Sequence, residues 1–443
     1  MNEIRRMGLN AVIFGLGSHE AGWRMPESNA FASTNLDYWI DIARRAENGG
    51  FDALFLGDVL ALQQSADRHL SDALDPLIIL SALAAVTNRI GLIGTASTSF
   101  DHPFHLARRF ASLDHISKGR AGWNIVTSSN PLEAYNFGLD AMPDHTERYA
   151  RAADVTEAAL ALWNSWQIDA HIADKQAGIY LDPSKVKRVD HEGPFVRSRG
   201  PLNVPRSPQG RPLLAQAGAS EAGRDFAARY ADMVFTVQSD LTDAQAFYQD
   251  MKMRAARNGR APESLLIYPG IVPIAAPTRR QAEERLARMN GFMVVEHVLA
   301  KLSEFLGVDL SQADLDAPLP DSIVGDAHKN QSSQSRFAVL VGIAHRDNLS
   351  LRQLLMRLSS GRGHLLAVGT GTDIATMMQE WFDNGAADGF NVMAPVMPSD
   401  LQSFVDLVIP DLVERKLFAV DHQSTLHQRL GLWAWQPPRA WAT

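Results

Sequence analysis

Short apolar runs bounded by Gly, Asp or Thr alternate along the chain with longer segments whose apolar residues recur at i, i+3 and i+4. The short runs read as buried strands and the longer ones as amphipathic helices; their alternation marks repeated βα units around a parallel sheet. Strands are predicted near 8–14 (GLNAVIF), 52–56, 90–94, 120–126, 213–217, 232–237, 265–273 and 389–393. Helices are predicted at 36–49, 76–87, 103–117, 145–165, 220–230, 242–258, 278–300, 371–385 and 400–415. Eight strands in this rhythm, with no dinucleotide fingerprint in the first unit, favour an α/β fold closed as a (β/α)8 TIM barrel over an open sheet.

Two segments break the rhythm. Residues 167–212 carry six prolines, and 305–345 are polar and irregular. Each leaves the barrel pattern and returns to it, so the expectation is one domain over 1–443 with two excursions that build the barrel mouth or a subunit contact.

Composition narrows the function. The net charge is −8 with acidic and basic residues interleaved, so no basic stripe points to nucleic acid. The absence of cysteine excludes disulfides, thiolate metal sites and a Cys nucleophile, and the 14 histidines are scattered, so no metal site is expected. With no 18-residue apolar run and no signal-peptide pattern, a soluble cytoplasmic protein without a membrane partner is expected. Gly15-Leu16-Gly17 and Gly369-Thr370-Gly371 begin like a dinucleotide loop, but the sixth positions are Glu20 and Ile374. Walker, zincin and nucleophile-elbow motifs are absent as well.

What is left is a set of polar residues at strand ends, where a barrel of this type places its active site. Asp58 follows ALFLG, Thr95 follows IGLIG, and Asn124 lies within the fourth strand ahead of Thr127, Ser128 and Ser129. Taken singly, Asp58 and Thr95 read equally as loop-turn residues. In PDHTERY, Asp144 and Glu147 form a capping box that starts a helix, with His145 in its first turn and Tyr149 on the same face. In QAGASEAGRDFA, Ser220 is the expected N-cap of another helix. Two helix starts beside an aromatic-lined mouth would suit the phosphate and ring of a mononucleotide such as FMN. HEAGWR adds His19, an acid or base near neutral pH, and Arg24, able to hold a carboxylate or to form a loop ion pair. Trp23, Phe100, Phe104, Trp123, Tyr135 and Phe137 are expected to supply aromatic surface near the same face.

The runs HEAGWR, FDALFLGD, GRAGWNIVTS with a following NFG, HTERY, QAGAS and VGTGTDIATMMQEWFDNGAADGFNVM, in this order, resemble the flavin-dependent monooxygenases of the bacterial luciferase superfamily. More narrowly, the chain is similar to the branch containing nitrilotriacetate, dibenzothiophene-sulfone and long-chain alkane monooxygenases. The resemblance implies a (β/α)8 barrel with insertions that takes reduced FMN from a separate NAD(P)H:flavin reductase. Such enzymes insert one oxygen of O2 into a small organic substrate through a C4a-(hydro)peroxyflavin. It places the FMN contacts on Asp58, Thr95, His145, Tyr149 and Ser220, with Asn124 as an addition, and offers His19 as the catalytic candidate. A homodimer or homotetramer is expected. The alternatives are a deazaflavin-dependent oxidoreductase of the same superfamily and a non-catalytic flavin-binding barrel.

Overall fold

Nine parallel strands carry the architecture of the computed structural model, which describes residues 6–62, 74–218, 220–319, 342–420 and 425–432. They are β1 (Gly8–Ile13), β2 (Ala53–Leu56), β3 (Gly91–Ser97), β4 (Ala121–Val126), β5 (Leu213–Gln216), β6 (Met233–Thr236), β7 (Leu266–Ala275), β8 (Leu365–Gly369) and β9 (Gly389–Val392). Pairing runs from β1 through β7, then to β9 and back to β1, so eight strands close a ring. These eight match the sequence expectation. β8 is the addition: it pairs with the C-terminal half of β7, from Ile271↔Leu365 to Ala275↔Gly369.

Alternation along each strand sorts side chains into the barrel or against the helices. Val12, Phe55, Ile93, Ala215, Met233, Tyr268 and Met393 form the inner cluster. Asn10 Nδ2 donates to Asn391 Oδ1 across the interior at 3.0 Å. Tyr268 fits there because Gly389 faces it: a Cβ on that glycine would stand 2.6 Å from the ring. Trp123 points the other way, between Phe110 and Trp163 at 5.7 and 6.2 Å, and is fully buried. It therefore belongs to the helix-facing core and not to the mouth, which corrects one sequence expectation.

The N-terminal end of the barrel is plugged by residues 425–432. Leu426 packs against Gly91, and its N–H donates to Gly119 O. Beside it, Arg211 holds Asp232 through two bonds of 2.6 and 2.7 Å.

The outer helices are α1 (Leu36–Asn48), α2 (Pro76–Ala84), α3 (Pro103–Ile116), α4 (Pro131–Asn136), α5 (His145–Trp163), α6 (Glu221–Tyr230), α7 (Leu241–Arg257), α8 (Arg279–Gly291), α9 (Val295–Leu306), α10 (Leu351–Gly361), α11 (Gly371–Asp383), α12 (Ser399–Leu407) and α13 (Ile409–Glu414). The helix predicted over 278–300 is broken: the N–H groups of Phe292 and Met293 turn back three residues, onto Met289 and Asn290, and end α8. The helix predicted over 400–415 is divided because Pro410 has no N–H to continue the ladder. The first excursion forms two short antiparallel pairs, His171–Asp174 with Ile179–Leu181 and His191–Glu192 with Arg197–Ser198. It is pinned to α5 by Asp154, which accepts from the N–H groups of Phe195 and Val196 at 2.7 and 2.9 Å. Most of the second excursion lies outside the described residues. No helix among the described residues is long and apolar enough to cross a membrane.

Candidate active site

At the C-terminal rim of β2, β3 and β4, the chain builds a small polar cavity lined by Asp58, Asp75, Thr95, Ser97, Val126, Ser128 and Glu133, among others. Thr95 lies inside β3 and not in a turn after it; its hydroxyl donates to Leu56 O at 2.8 Å and so ties β3 to β2. Asn124 is its register partner on β4, and Asn124 Nδ2 donates to Thr95 Oγ1 at 2.8 Å. The other amide atom, Asn124 Oδ1, is buried with no hydrogen-bond partner among the described residues. An orphaned buried acceptor costs about 1–3 kcal/mol unless a donor reaches it.

Asp58 stands at the same rim. Burial, then the nearby carboxylates of Asp75 and Glu133, push its carboxyl up to about 6, against the opposing N–H of Val59. Glu133 is itself held in place. It accepts from Leu60 N–H at 3.0 Å and from Ser128 Oγ at 3.2 Å, and it closes a capping box with Asn130 at the start of α4. The signal for α4 is present in the sequence as Asn-Pro-x-Glu, although the helical periodicity predicts no helix there.

A second cluster adjoins the first. Asp144 caps α5 by accepting from Glu147 N–H at 2.8 Å, as the spacing predicts. His145 then meets Ser220 Oγ at 3.1 Å, and its ring lies 4.9 Å from that of Tyr149. Burial, then Arg148, lower the His145 pKa, which keeps the ring neutral near neutral pH. The Tyr149 hydroxyl reaches Ser220, Thr127 and Gln216, and burial raises its pKa. Ser220 caps α6 by accepting from Gly223 N–H at 3.2 Å. Gly218 allows this convergence, since a Cβ there would come within 2.8 Å of the Tyr149 hydroxyl. Gln216, at the end of a predicted strand, is an addition to the sequence-derived set, and Thr127, noted there as a polar strand-end residue, joins the expected flavin contacts. Arg148, beside Tyr149, donates to the carbonyl of Ser128 in the first cavity, so the two clusters adjoin along the rim from β2 to α6.

His19 stands apart from both. It is 3 % exposed, in the loop after β1. Its Nδ1 accepts from Ala21 N–H at 3.0 Å, which leaves Nε2 to donate to Asn290 Oδ1 at 3.1 Å. Burial lowers its pKa, so it is a neutral ring with both nitrogens committed. Arg24 donates to Phe292 O and covers the Phe292 ring. Of the expected mouth aromatics, Phe100 and Phe137 stack at 4.3 Å.

The donor set fits a flavin mononucleotide on structural grounds. An orphaned amide oxygen could accept from a ring N–H, a raised carboxyl could exchange a proton with a ring edge, and a hydroxyl and a histidine at a helix start could meet a phosphate.

Comparison with known proteins agrees. The family model described as luciferase-like monooxygenase matches residues 14–388. N-acetyl-S-(2-succino)cysteine monooxygenase of Bacillus subtilis (strain 168) is 43 % identical over 430 residues, covering 97 % of each chain. Nitrilotriacetate monooxygenase component A of Aminobacter aminovorans is 41 % identical over 446 residues, covering 98 % of each. A solved riboflavin lyase holding modified FMN and riboflavin superposes with a TM-score of 0.84 at 31 % identity, over 97 % of this chain and 96 % of that one. The chain belongs to the luciferase-like monooxygenase family, whose members are flavin-dependent enzymes.

Proposed function

We propose that the protein is the oxygenase component of a two-component monooxygenase. It takes FMN already reduced by a separate NAD(P)H:flavin reductase and places one atom of O2 in a small organic substrate, releasing the other as water. Bound reduced flavin supplies the two electrons and activates the O2. The observation that carries the reading is the single rim running from Asp58 through Thr95, Asn124 and Tyr149 to Ser220, with an unfilled acceptor at Asn124 Oδ1.

Each residue has a distinct task in this reading. Asn124, fixed by Thr95, orients the ring by accepting one of its N–H groups. Asp58, titrating near pH 6, exchanges a proton with the ring edge or the solvent at that rim. Ser220, His145 and the first amides of α6 bind the phosphate, and Tyr149 sets their spacing. His19 positions the loop after β1 against α8 and does not itself transfer a proton, because both of its nitrogens are used. The name "component A" carried by the Aminobacter relative supports a separate reductase.

Oxygen uptake with FMN, NADH and an added flavin reductase, across a panel of organic acids, sulfones, thioethers and alkanes, tests the proposal. Substrate-coupled uptake is expected with at least one class. No coupled uptake with any flavin would remove it.

A further inference from the structure

The turn between α10 and β8 places Arg362 and His364 over the aromatic floor of the mouth. Gly363, at φ +85, lets the chain reverse between them. His364 stacks on Phe235 at 5.4 Å, and Phe235 meets Phe55 edge-on at 5.5 Å, so this row crosses from β8 to β2 beneath the rim. The Arg362 guanidinium lies 5.0 Å from the centre of the Phe14 ring, at the end of β1. Phe14 neighbours Gly57, the residue before Asp58.

Arg362 is underpaired for a guanidinium. Its side chain makes no hydrogen bond among the described residues, and its Nε is buried with no partner. The nearest carboxylate, Glu20, is 3.6 Å away, beyond hydrogen-bond reach, and Lys301 already holds it at 3.0 Å. Other arginines near this end are occupied: Arg24 by Phe292 O, Arg285 by Glu27 and Asp400, Arg346 by Asp347 and Arg352 by Asp316. A half-covered guanidinium on an aromatic platform, making no hydrogen bond and only one loose ion pair with Glu20, is chemically suited to a planar anion.

We propose that Arg362 binds a carboxylate of the substrate, which makes the substrate an organic acid whose remaining body lies along Phe14 and Phe235. The proposal rests on the monooxygenase reading only for the direction from which substrate enters. Glu20, itself held by Lys301, keeps the guanidinium near Phe14 through one loose ion pair, so the anion completes the group.

Calorimetric titration with succinate, and with dimethyl succinate as the uncharged control, tests this on both the FMN-free and the FMN-saturated protein. Succinate binding is expected in both forms, with no binding of the diester. Arg362→Gln is expected to weaken succinate by at least about tenfold, and Arg362→Lys by less because the charge is kept. Unchanged succinate affinity in Arg362→Gln overturns the proposal, as does loss of binding on Arg24→Gln with Arg362→Gln unaffected. An unchanged melting temperature and unchanged quenching of flavin fluorescence in Arg362→Gln show that the variant is folded. Flavin quenching is read separately, so failure to bind FMN would count against the monooxygenase reading while the succinate titration still decides the role of Arg362.

Discussion

Asn124 and Thr95 are register partners on neighbouring barrel strands, joined by a 2.8 Å bond from Asn124 Nδ2 to Thr95 Oγ1, while Asn124 Oδ1 has no hydrogen-bond partner among the described residues. One donor of that amide is spent on Thr95, and in the proposed function the carbonyl accepts from the flavin. This division of the two amide atoms is the smallest unit of the site, and it shapes the first expected result.

Asn124→Ala removes the acceptor together with the desolvation cost of leaving it unfilled. Flavin affinity should fall by about tenfold, the equivalent of roughly 1.4 kcal/mol, while the melting temperature of the ligand-free protein changes little. Fluorescence quenching of FMN measures the first and a thermal melt the second. An affinity within twofold of the parent would take Asn124 out of the site.

Ser220 serves α6 and the proposed phosphate at once, and the two roles separate by choice of flavin. Ser220→Ala should destabilise the protein by about 1 kcal/mol through loss of the cap. It should weaken FMN several-fold more than riboflavin, which has no phosphate. Equal losses for both flavins would leave Ser220 with the cap alone.

Asp58 gives a pH test whose sign is fixed. Its folded pKa, pushed up to about 6 by burial and then by Asp75 and Glu133, lies above the ordinary carboxyl value of about 4. Between those two values the folded protein holds more of this proton than the unfolded chain does. Asp58 therefore makes stability fall as pH rises through that window, and the full penalty is present above it. Asp58→Asn should flatten this part of the curve and raise the melting temperature at pH 8 relative to the parent. A variant that melts lower at pH 8 with the same pH profile would show that the carboxylate is favourably held.

His19→Ala breaks the Ala21 and Asn290 bonds in a buried setting. It should cost about 1–3 kcal/mol in stability and raise the KM for substrate more than it lowers kcat, as expected of a residue that positions a loop. A large fall in kcat with unchanged stability and KM would instead restore a chemical role.

The alternation of short apolar runs and helical periods made the ring of eight strands legible, because inward and outward faces impose their periods on every unit. Asp58, Asn124, His145 and Ser220 were legible for a related reason: each sits at a strand end or helix start that the pattern locates. β8 was not, since LLAVG is short and follows a polar stretch that hid the preceding helix. Arg362 was invisible for the same reason. Its significance depends on Phe14 and Glu20, more than 300 residues earlier in the chain. The engagement of both His19 nitrogens likewise depends on Asn290, which no local pattern connects to it.

The barrel closes between β1 and β9, and its lower end is completed by Leu426 beneath Gly91. A ribosome reads β1 and Gly91 long before it reads β9 and Leu426. Until residue 426 has left the exit tunnel, the first strands have no final neighbour on one side and no floor, so an unpaired β1 edge and the apolar interior stay open until then. Assembly of this enzyme therefore finishes only once that last plug is available, and partial chains are the form most in need of a chaperone.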